Sequence, residues 1–296
     1  MDKNVKIIEI TDDKFPKSLK EAVKNLITSA EIKRLYYKGN WCPEIFENCL
    51  AVVGSRHLTS YGKKATEQIV TEVALAGVTI VSGFMYGGDE AAHSATVKCG
   101  GKTIAVMPCG INRIHPESQK DLYEEILKKD GLIISEYEGL AQPQQWTYVQ
   151  RNRIVAGLCK AILVTEATEN SGTLITAGYA KKFGKKIFAL PGQITSGLSK
   201  GPNRLIKEGA EIVTEAKDIL DFYKISRSKA NLPAGKKLVL GSSLEQKIIE
   251  QLQREPMKAD ELSRLFLLPS SQIGTTLTLM QLKGFINLDN GKYHIN

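Results

Sequence analysis

Seven short apolar runs constrain the fold of this chain more than any other feature. They are continuous rather than alternating, and they read LAVV (50–53), VTIVS (78–82), TIAVM (103–107), LIIS (132–135), AILVT (161–165), KIFAL (186–190) and EIVT (211–214). Continuous runs are typical of strands that are buried on both faces of a parallel sheet. Because helical patterns such as 65–76 and 174–183 lie between them, they predict an α/β fold with a Rossmann-like, doubly wound parallel sheet.

The pattern changes on both sides of this region. Residues 1–45 hold one amphipathic helical pattern near 18–28 and are predicted to be an N-terminal lead-in packed on the sheet, and residues 46–223 are predicted to form the main domain. Residues 224–242 are a basic Pro/Gly/Lys linker. Residues 243–296 contain three helical patterns and two strand patterns around Asn290-Gly291, a pair that favours a tight hairpin. This combination predicts a small winged-helix domain.

The net charge of +8 over 296 residues does not by itself indicate a nucleic-acid partner. Five basic residues fall within 224–242, whereas six basic and six acidic residues balance over 243–296. The surplus charge therefore lies largely in the linker. The five cysteines form no CxxC pair, which favours reduced thiols over disulfides or a zinc site. No leader peptide and no apolar run near 18 residues is apparent, so we expect a cytoplasmic protein that does not contact membranes.

The turn after the first predicted strand does not fit a dinucleotide site. Gly54 is followed by Arg56 and Thr59 where a dinucleotide fold has its second and third glycines, and the second strand ends without an acid for the ribose. A Walker lysine motif is also absent. Two interpretations of the turn remain: a phosphate site at a helix N-terminus with an arginine beside it, or a plain turn with a solvated arginine.

The other strand ends favour the phosphate interpretation. In an open α/β sheet, ligands bind beyond the carboxyl ends of the strands. Glycine, small hydroxyls and single basic residues recur at these ends, in SGFMYGGDEAAH (82–93), PCGINRIHP (108–116), SEYEG (135–139), TEATENSGTLITA (165–177) and PGQITSGLSKGPNRLI (191–206). In addition, QRNRIVAG (150–157) precedes the fifth strand. A sheet does not need these residues to fold. We therefore predict a site for an anionic ligand, with no metal and no cofactor.

These segments resemble the DNA-processing protein A family, also called Smf. The matching pieces stand in family order: VVGSR (52–56), VSGF with DEAAH (81–93), GGKTIAVMPCGIN (100–112), ISE (134–136), QRNRIVAG, EATENSGTLITA and IFALPG (187–192). The resemblance implies a protein of natural transformation and DNA uptake that binds single-stranded DNA and loads the RecA recombinase. It also implies a homodimer without catalytic activity.

By position, the resemblance implies a set of DNA- or phosphate-binding residues in this chain. They are Gly54, Ser55, Arg56, Arg151, Asn152, Arg153, Ser171, Gly172, Thr173, Lys200 and Asn203. Arg113 is added because it follows the third strand, where its side chain would reach the same end of the sheet. The chain departs from the family pattern at Phe84-Met85-Tyr86 and at Gly88. The third predicted helix of the winged-helix domain has only Lys283 near its end, which favours a protein-contact or weak accessory role over DNA reading.

Other polar residues have both a functional and a structural interpretation. Asp89 and His93 lie four residues apart on one predicted helix, so they are either acid–base groups or a helix cap and a buried hydrogen-bonded histidine; the structural interpretation is favoured. Glu136 and Glu166 follow two strands and are either a catalytic pair or acceptors of hydrogen bonds from backbone and from the arginines of QRNR; the second is favoured.

One enzyme class stays as an alternative. Nucleotide phosphoribohydrolases also place glycine-rich strand ends around a phosphate, with a PGGxGT stretch and a catalytic glutamate. This chain has PGQITSG at 191–197, and SGT at 171–173 is followed by Leu-Ile-Thr rather than an acid. Glu166 is the remaining candidate for the acid. Release of free base from nucleoside monophosphates would distinguish this alternative from DNA binding.

Overall fold

The computed structural model describes residues 5–24, 31–225, 243–282, 284–289 and 291–295. The chain divides into two units, Met1–Asn231 and Leu232–Asn296. Several predicted features lie outside the described residues: positions 25–28 of the N-terminal helical pattern, positions 226–242 of the linker, Lys283, and Asn290 of the predicted hairpin.

In the described part of the first unit, nine strands form one sheet in the order β1-β2-β6-β5-β4-β3-β7-β8-β9. Their bounds are β1 Lys6–Glu9, β2 Arg34–Gly39, β3 Cys49–Val53, β4 Thr79–Ser82, β5 Thr103–Gly110, β6 Leu132–Tyr137, β7 Ala161–Val164, β8 Lys186–Ala189 and β9 Glu211–Ile212. All neighbours from β6 across to β9 pair in parallel. The predicted doubly wound parallel sheet is confirmed.

The strand order reverses at β3. From β3 the chain adds β4, β5 and β6 on one side, and then returns to place β7, β8 and β9 on the other. The gap between the carboxyl ends of β3 and β7 is therefore the topological switch point, where open α/β sheets bind their ligands.

Eight helices accompany the described part of this sheet. They are α1 Lys17–Lys24, α2 Ser60–Leu75, α3 Gly88–Lys98, α4 Lys120–Lys128, α5 Gln145–Leu158, α6 Gly172–Lys182, α7 Lys200–Lys207 and α8 Ala216–Tyr223. Successive side chains of β3 alternate between two apolar clusters: Ala51 and Val53 pack with α5, whereas Leu50 and Val52 pack with α2 and α8. Since both faces of β3 are covered, every residue of the strand is buried, which explains its continuous apolar sequence.

The N-terminal segment contributes strands that the sequence analysis did not predict. β1 pairs with β2, and β2 pairs with β6, both in antiparallel orientation, so they extend one edge of the sheet. The predicted helix is present as α1, and the Ser18 hydroxyl donates to the Leu158 carbonyl at the end of α5 at 3.0 Å.

The second unit has the three helices and two strands of the predicted winged helix. They are α9 Ser243–Arg254, α10 Ala259–Phe266, α11 Ser270–Leu282, β10 Ile286–Asp289 and β11 Lys292–Ile295, the two strands being antiparallel. Its own core includes Ile248, Leu252, Leu262, Ile273 and Leu277. In the described parts of the chain, no helix combines the length and the apolar character that crossing a membrane requires.

Candidate nucleic-acid interface

A cavity of about 610 Å³ opens at the carboxyl ends of β3 and β7, where the strand order reverses. We call it the switch-point cavity. The turn after β3, the loop after β4, one side of α5 and the first turns of α6 form its walls. Seven of the residues predicted to bind DNA line it: Gly54, Arg56, Arg151, Asn152, Ser171, Gly172 and Thr173. These residues come from three separate stretches of sequence, and the topology of the sheet brings them together.

The turn after β3 is held in place by backbone contacts. The Ser55 N–H donates to the Glu166 carbonyl at 2.6 Å, and the Ser55 carbonyl accepts from the Gly88 N–H at 3.0 Å. Gly54 and Gly88 approach each other so closely that a Cβ on Gly88 would lie 2.6 Å from the Gly54 Cα. The glycine at 88, a departure from the family pattern, therefore lets α3 begin directly against this turn.

Arg56 is exposed on this turn and carries a charge that an anion can reach. Its guanidinium carbon lies 5.2 Å from the centroid of the Tyr148 ring, close enough for a cation–π contact. The Tyr148 hydroxyl is hydrogen-bonded to His115 Nε2 at 2.6 Å, which fixes the ring. Arg56 forms no ion pair with any residue that the structure describes. The arginine is therefore positioned without being neutralised.

The N-terminus of α6 faces the same cavity. Ser171 caps this helix: its hydroxyl oxygen accepts from the Thr173 N–H at 3.2 Å and its hydroxyl donates to Thr173 Oγ1 at 3.0 Å. Gly172 is exposed. If it carried a Cβ, no neighbouring atom would lie within 4 Å of that Cβ. The first N–H groups of a helix attract anions through their unused hydrogen bonds and the helix dipole. Together with Arg56, they make this wall suited to phosphate.

Arg151 lines the cavity, but it donates its hydrogen bonds to other groups of the protein. Its Nη1 donates to the carbonyls of Gly83 and Val106, the second at 2.5 Å, so the guanidinium joins α5 to the residue after β4 and to the middle of β5. Its Nε donates to Asn152 Oδ1 at 3.2 Å. Burial lowers the pKa of Arg151, and the nearby Asp89 carboxylate opposes that shift. These hydrogen bonds hold the Arg151 side chain in place beside the cavity.

Five residues predicted to bind DNA are not among those lining the cavity. Arg153 is buried and forms a bidentate ion pair with Glu136, with both N–O distances 2.7 Å. Arg113 Nε donates to the Leu140 carbonyl at 3.1 Å. The Asn203 side chain bonds the Gly192 N–H and carbonyl, and thereby shapes the loop after β8. The other two are Lys200, which is exposed at the start of α7, and Ser55, whose hydroxyl bonds the His57 backbone.

The acidic residues near the strand ends have structural partners. Glu166 is 2% exposed, and its two carboxylate oxygens accept from the Thr59 N–H at 2.8 Å and from the Thr59 hydroxyl at 2.6 Å. Since Thr59 caps α2, Glu166 fixes the start of that helix. Glu136 accepts from Arg153, as described above. The interpretation of both glutamates as hydrogen-bond acceptors is confirmed.

Asp89 and His93 are both buried on α3. His93 Nδ1 lies 2.7 Å from Thr103 Oγ1; because that hydroxyl donates to the Ile80 carbonyl, the imidazole N–H is the donor. Burial lowers the pKa of His93 to about 3, so the ring is neutral. Asp89 accepts from the Met85 N–H at 3.1 Å. Asp89 therefore holds the turn before α3. The sequence analysis favoured Asp89 as the cap of this helix, but the cap residue is Gly87.

The sequence analysis included Asn152 but did not predict that a whole face of α5 lines the cavity. Gln145, Tyr148, Val149 and Asn152 all line it from α5. They stand at positions i, i+3, i+4 and i+7, the spacing of one helix face. Ile175 joins them from α6. The spacing was present in the sequence, but only the structure shows that this face turns toward the strand ends.

Fold and site together define a class: a doubly wound α/β protein with an arginine and a helix N-terminus in the cavity at its switch point, joined to a winged helix. The family model described as DNA recombination-mediator protein A matches residues 6–224, and the DprA winged-helix domain matches residues 231–292. The chain belongs to the DNA recombination-mediator protein A family. Its role is therefore in DNA processing and recombination.

Individual relatives agree with this assignment. The chain is 41% identical over 215 residues to DNA processing protein DprA of Streptococcus pneumoniae, covering 73% of each protein. It is 42% identical over 172 residues to protein Smf of Escherichia coli, but it spans only about half of that protein's length.

Two solved structures are similar as well. The X-ray structure of DprA from S. pneumoniae matches with a TM-score of 0.67 and 39% identity over 74% of each chain. A structure of DNA processing protein A from Helicobacter pylori, described for its single-stranded DNA binding mode, matches with a TM-score of 0.65 and 28% identity over 74% of this chain and 95% of that one.

Proposed function

We propose that the protein binds single-stranded DNA in the switch-point cavity. The observation that supports this most directly is that Arg56 and the N-terminus of α6 line the same cavity. Both attract phosphate, and neither is neutralised by a carboxylate of the cavity wall, since Asp89 is buried and bonded to backbone. Gly54, Asn152, Ser171, Gly172 and Thr173 complete the phosphate-facing wall.

The apolar part of the cavity wall is suited to bases. Val149 of α5 and Ile175 of α6 line the cavity and are each 39% exposed, and Tyr148 lines it from α5 as well. Apolar and aromatic side chains bind bases only where the bases are free to leave a stack. In a duplex the bases are already paired and stacked, so this wall favours single strands. Preference for single strands then comes from the pairing of an apolar wall with a phosphate-binding wall.

We also propose the partners and the setting that family membership implies. The bound strand, incoming or exposed, would be protected and handed to the RecA recombinase, in natural transformation or in recombination. The protein would act as a homodimer in the cytoplasm. Ser55, Arg113, Lys200 and Asn203 would shape or extend the site from outside the cavity, and Arg153 would hold α5 in position. The winged helix would contact protein rather than read DNA.

We further propose that the cavity binds without catalysing a reaction. A phosphoribohydrolase would need an acid that reaches a bound nucleotide. Glu166, the candidate for that role, is 2% exposed and accepts two hydrogen bonds from Thr59. Its carboxylate serves the start of α2, and this argues against the enzyme alternative.

The first experiment measures fluorescence anisotropy of labelled single-stranded and duplex oligonucleotides across a salt series. The intact protein should prefer the single strand, with log affinity falling against log salt by about 0.7 per phosphate contacted. Arg56→Ala should weaken single-strand binding about tenfold and flatten the slope by about 0.7, because one charge-assisted phosphate contact is lost.

The matched control is Arg34→Ala. Arg34 is an exposed arginine on β2 whose partner is Glu9 at 3.4 Å, and it does not line the cavity. This variant should bind like the unaltered protein. If Arg56→Ala and Arg34→Ala have equal affinities, or if the protein binds duplex as well as single strand, the cavity is not the DNA site.

A further inference from the structure

A second cavity of about 440 Å³ adjoins the switch-point cavity. It lies between α2 and α3, and we call it the α2–α3 groove. Lys63 and Glu67 border it from α2, Glu90 and Lys98 border it from α3, and Tyr86 stands in the loop before α3. Arg56 lines both this groove and the switch-point cavity. The two cavities therefore meet at one exposed arginine.

The switch-point cavity alone offers few cations to a nucleic-acid strand. Of the described residues that line it, the cationic ones are Arg56 and Arg151. The Arg151 guanidinium is buried and bonded to backbone carbonyls. A single strand carries one negative charge per nucleotide, and its affinity rises with the number of phosphates that cations neutralise. A strand of several nucleotides needs further cations next to Arg56.

The α2–α3 groove supplies them. Lys63 and Lys98 are exposed, and neither forms an ion pair with a residue that the structure describes. With Arg56, the groove holds three cationic side chains against the carboxylates of Glu67 and Glu90. The excess of positive charge is small. A groove of this kind strengthens the binding of a strand that is already held nearby. It is too weakly charged to bind a strand alone.

We propose that a single strand held in the switch-point cavity continues past Arg56 into the α2–α3 groove, where Lys63 and Lys98 contact its phosphates. The proposal rests on the proposed function, and it assigns the direction in which the strand leaves the cavity. Tyr86 is 44% exposed at the border of the groove, and its hydroxyl lies 3.2 Å from Ser118 Oγ. Its ring offers a surface for the first base outside the cavity.

The test compares strands of two lengths by fluorescence anisotropy on the full chain. A strand of about 5 nucleotides is short enough for one binding cavity, whereas one of about 15 extends beyond it. The Lys63→Ala/Lys98→Ala double variant should bind the long strand about 5- to 20-fold more weakly, and its salt slope should fall by about 1.4, two contacts at about 0.7 each. Its affinity for the short strand should be unchanged.

The control is Lys120→Ala/Lys128→Ala, which removes two exposed lysines of α4 that line neither cavity. Equal long-strand affinity of the two double variants overturns the proposal, and so does an equal loss on short and long strands. Failure of the unaltered protein to prefer single strands would refute the proposed function as well. Normal short-strand binding with no effect of Lys63 and Lys98 refutes only the path through the groove. Thermal unfolding of both variants verifies that each is folded.

Discussion

At the scale of single residues, the arginines near the cavity differ in whether their hydrogen-bond donors are already used by the protein. The motif QRNR placed Arg151, Asn152 and Arg153 together, yet Arg153 pairs with Glu136 and Arg151 binds backbone carbonyls. Residue type identifies a possible phosphate ligand, but burial decides whether its donors are already used. Arg56 is available because it stands on a turn where no carboxylate of the described chain reaches it. Such partners come from distant segments, so local sequence does not reveal them.

His93 leads to a residue-scale prediction about pH. The pKa of His93 is about 3 in the folded protein and about 6.5 when unfolded, so the unfolded chain binds more protons between these values. The stabilisation is complete above about pH 6.5 and is lost as the pH falls toward about 3. Lowering the pH from about 7.5 to about 5 should therefore reduce the free energy of unfolding by about 2 kcal/mol through this residue. Urea denaturation measures the change.

The contribution of His93 is isolated by comparing how the free energy of unfolding depends on pH in different variants. Burial raises the pKa of Asp89, so protonation of that carboxyl acts in the opposite direction and must be subtracted. In His93→Gln the loss of stability between the two pH values should be about 2 kcal/mol smaller than in the unaltered chain. His57→Gln, at an exposed histidine, is the matched substitution control. Equal pH dependence in His93→Gln and the unaltered chain would show that His93 does not carry it.

At the scale of helices and strands, burial on two faces made most of the sheet predictable. β3 to β8 match six of the seven apolar runs, because strands covered by helices on both sides need apolar residues at most positions. β9 falls within the seventh run, but it is an edge strand of two exposed residues. β1 and β2 were not predicted. In β1 only Ile8 is buried, and in β2 only Leu35 and Tyr36 are, so neither strand contains a long apolar run. The pairing of β2 with β6, about a hundred residues later, is a tertiary contact that local patterns do not contain.

The packing of α3 on β3 leads to an element-scale prediction. A Cβ on Gly88 would lie 2.6 Å from the Gly54 Cα and 2.7 Å from the Gly54 N, so Gly88→Ala must push the start of α3 away from the end of β3. We expect the free energy of unfolding to fall by about 1–3 kcal/mol, as in other overpacked sites. Single-strand affinity should fall too, because the turn that carries Arg56 would move.

Gly178→Ala is the matched control for that change. Gly178 lies within α6, and nothing stands within 4 Å of where its Cβ would be. Alanine should therefore stabilise the helix by about 0.5–1 kcal/mol. Urea denaturation of both variants gives the comparison. A Gly88→Ala protein as stable as Gly178→Ala would mean that α3 and β3 have room that the structure does not show.

At the scale of the whole molecule, the two units have separate cores and different surfaces. Among the residues that the structure describes, the apolar clusters of the sheet extend to Ile225 and the winged-helix cluster begins at Leu244. All residues of the switch-point cavity belong to the first unit. In the second unit, α11 carries no charged residue from Ser270 to Leu282. The helix that reads DNA in many winged helices therefore lacks the cations for phosphate contacts. The sequence predicted this neutrality, and it predicted a ligand site at the strand ends of the first unit.

Truncation tests where the affinity for DNA lies. A chain that ends at residue 225 keeps the three apolar clusters of the sheet and every lining residue of the cavity, so it should remain folded and bind a short single strand within about twofold of the full chain. A second chain that ends at residue 242 keeps the basic residues of 226–242 as well. Anisotropy should give both chains the same short-strand affinity. If only the longer one binds, the basic segment holds the DNA; if neither binds while both remain folded, the winged helix does. Either result would show that the cavity is not the main DNA-binding site, because the cavity is intact in both chains.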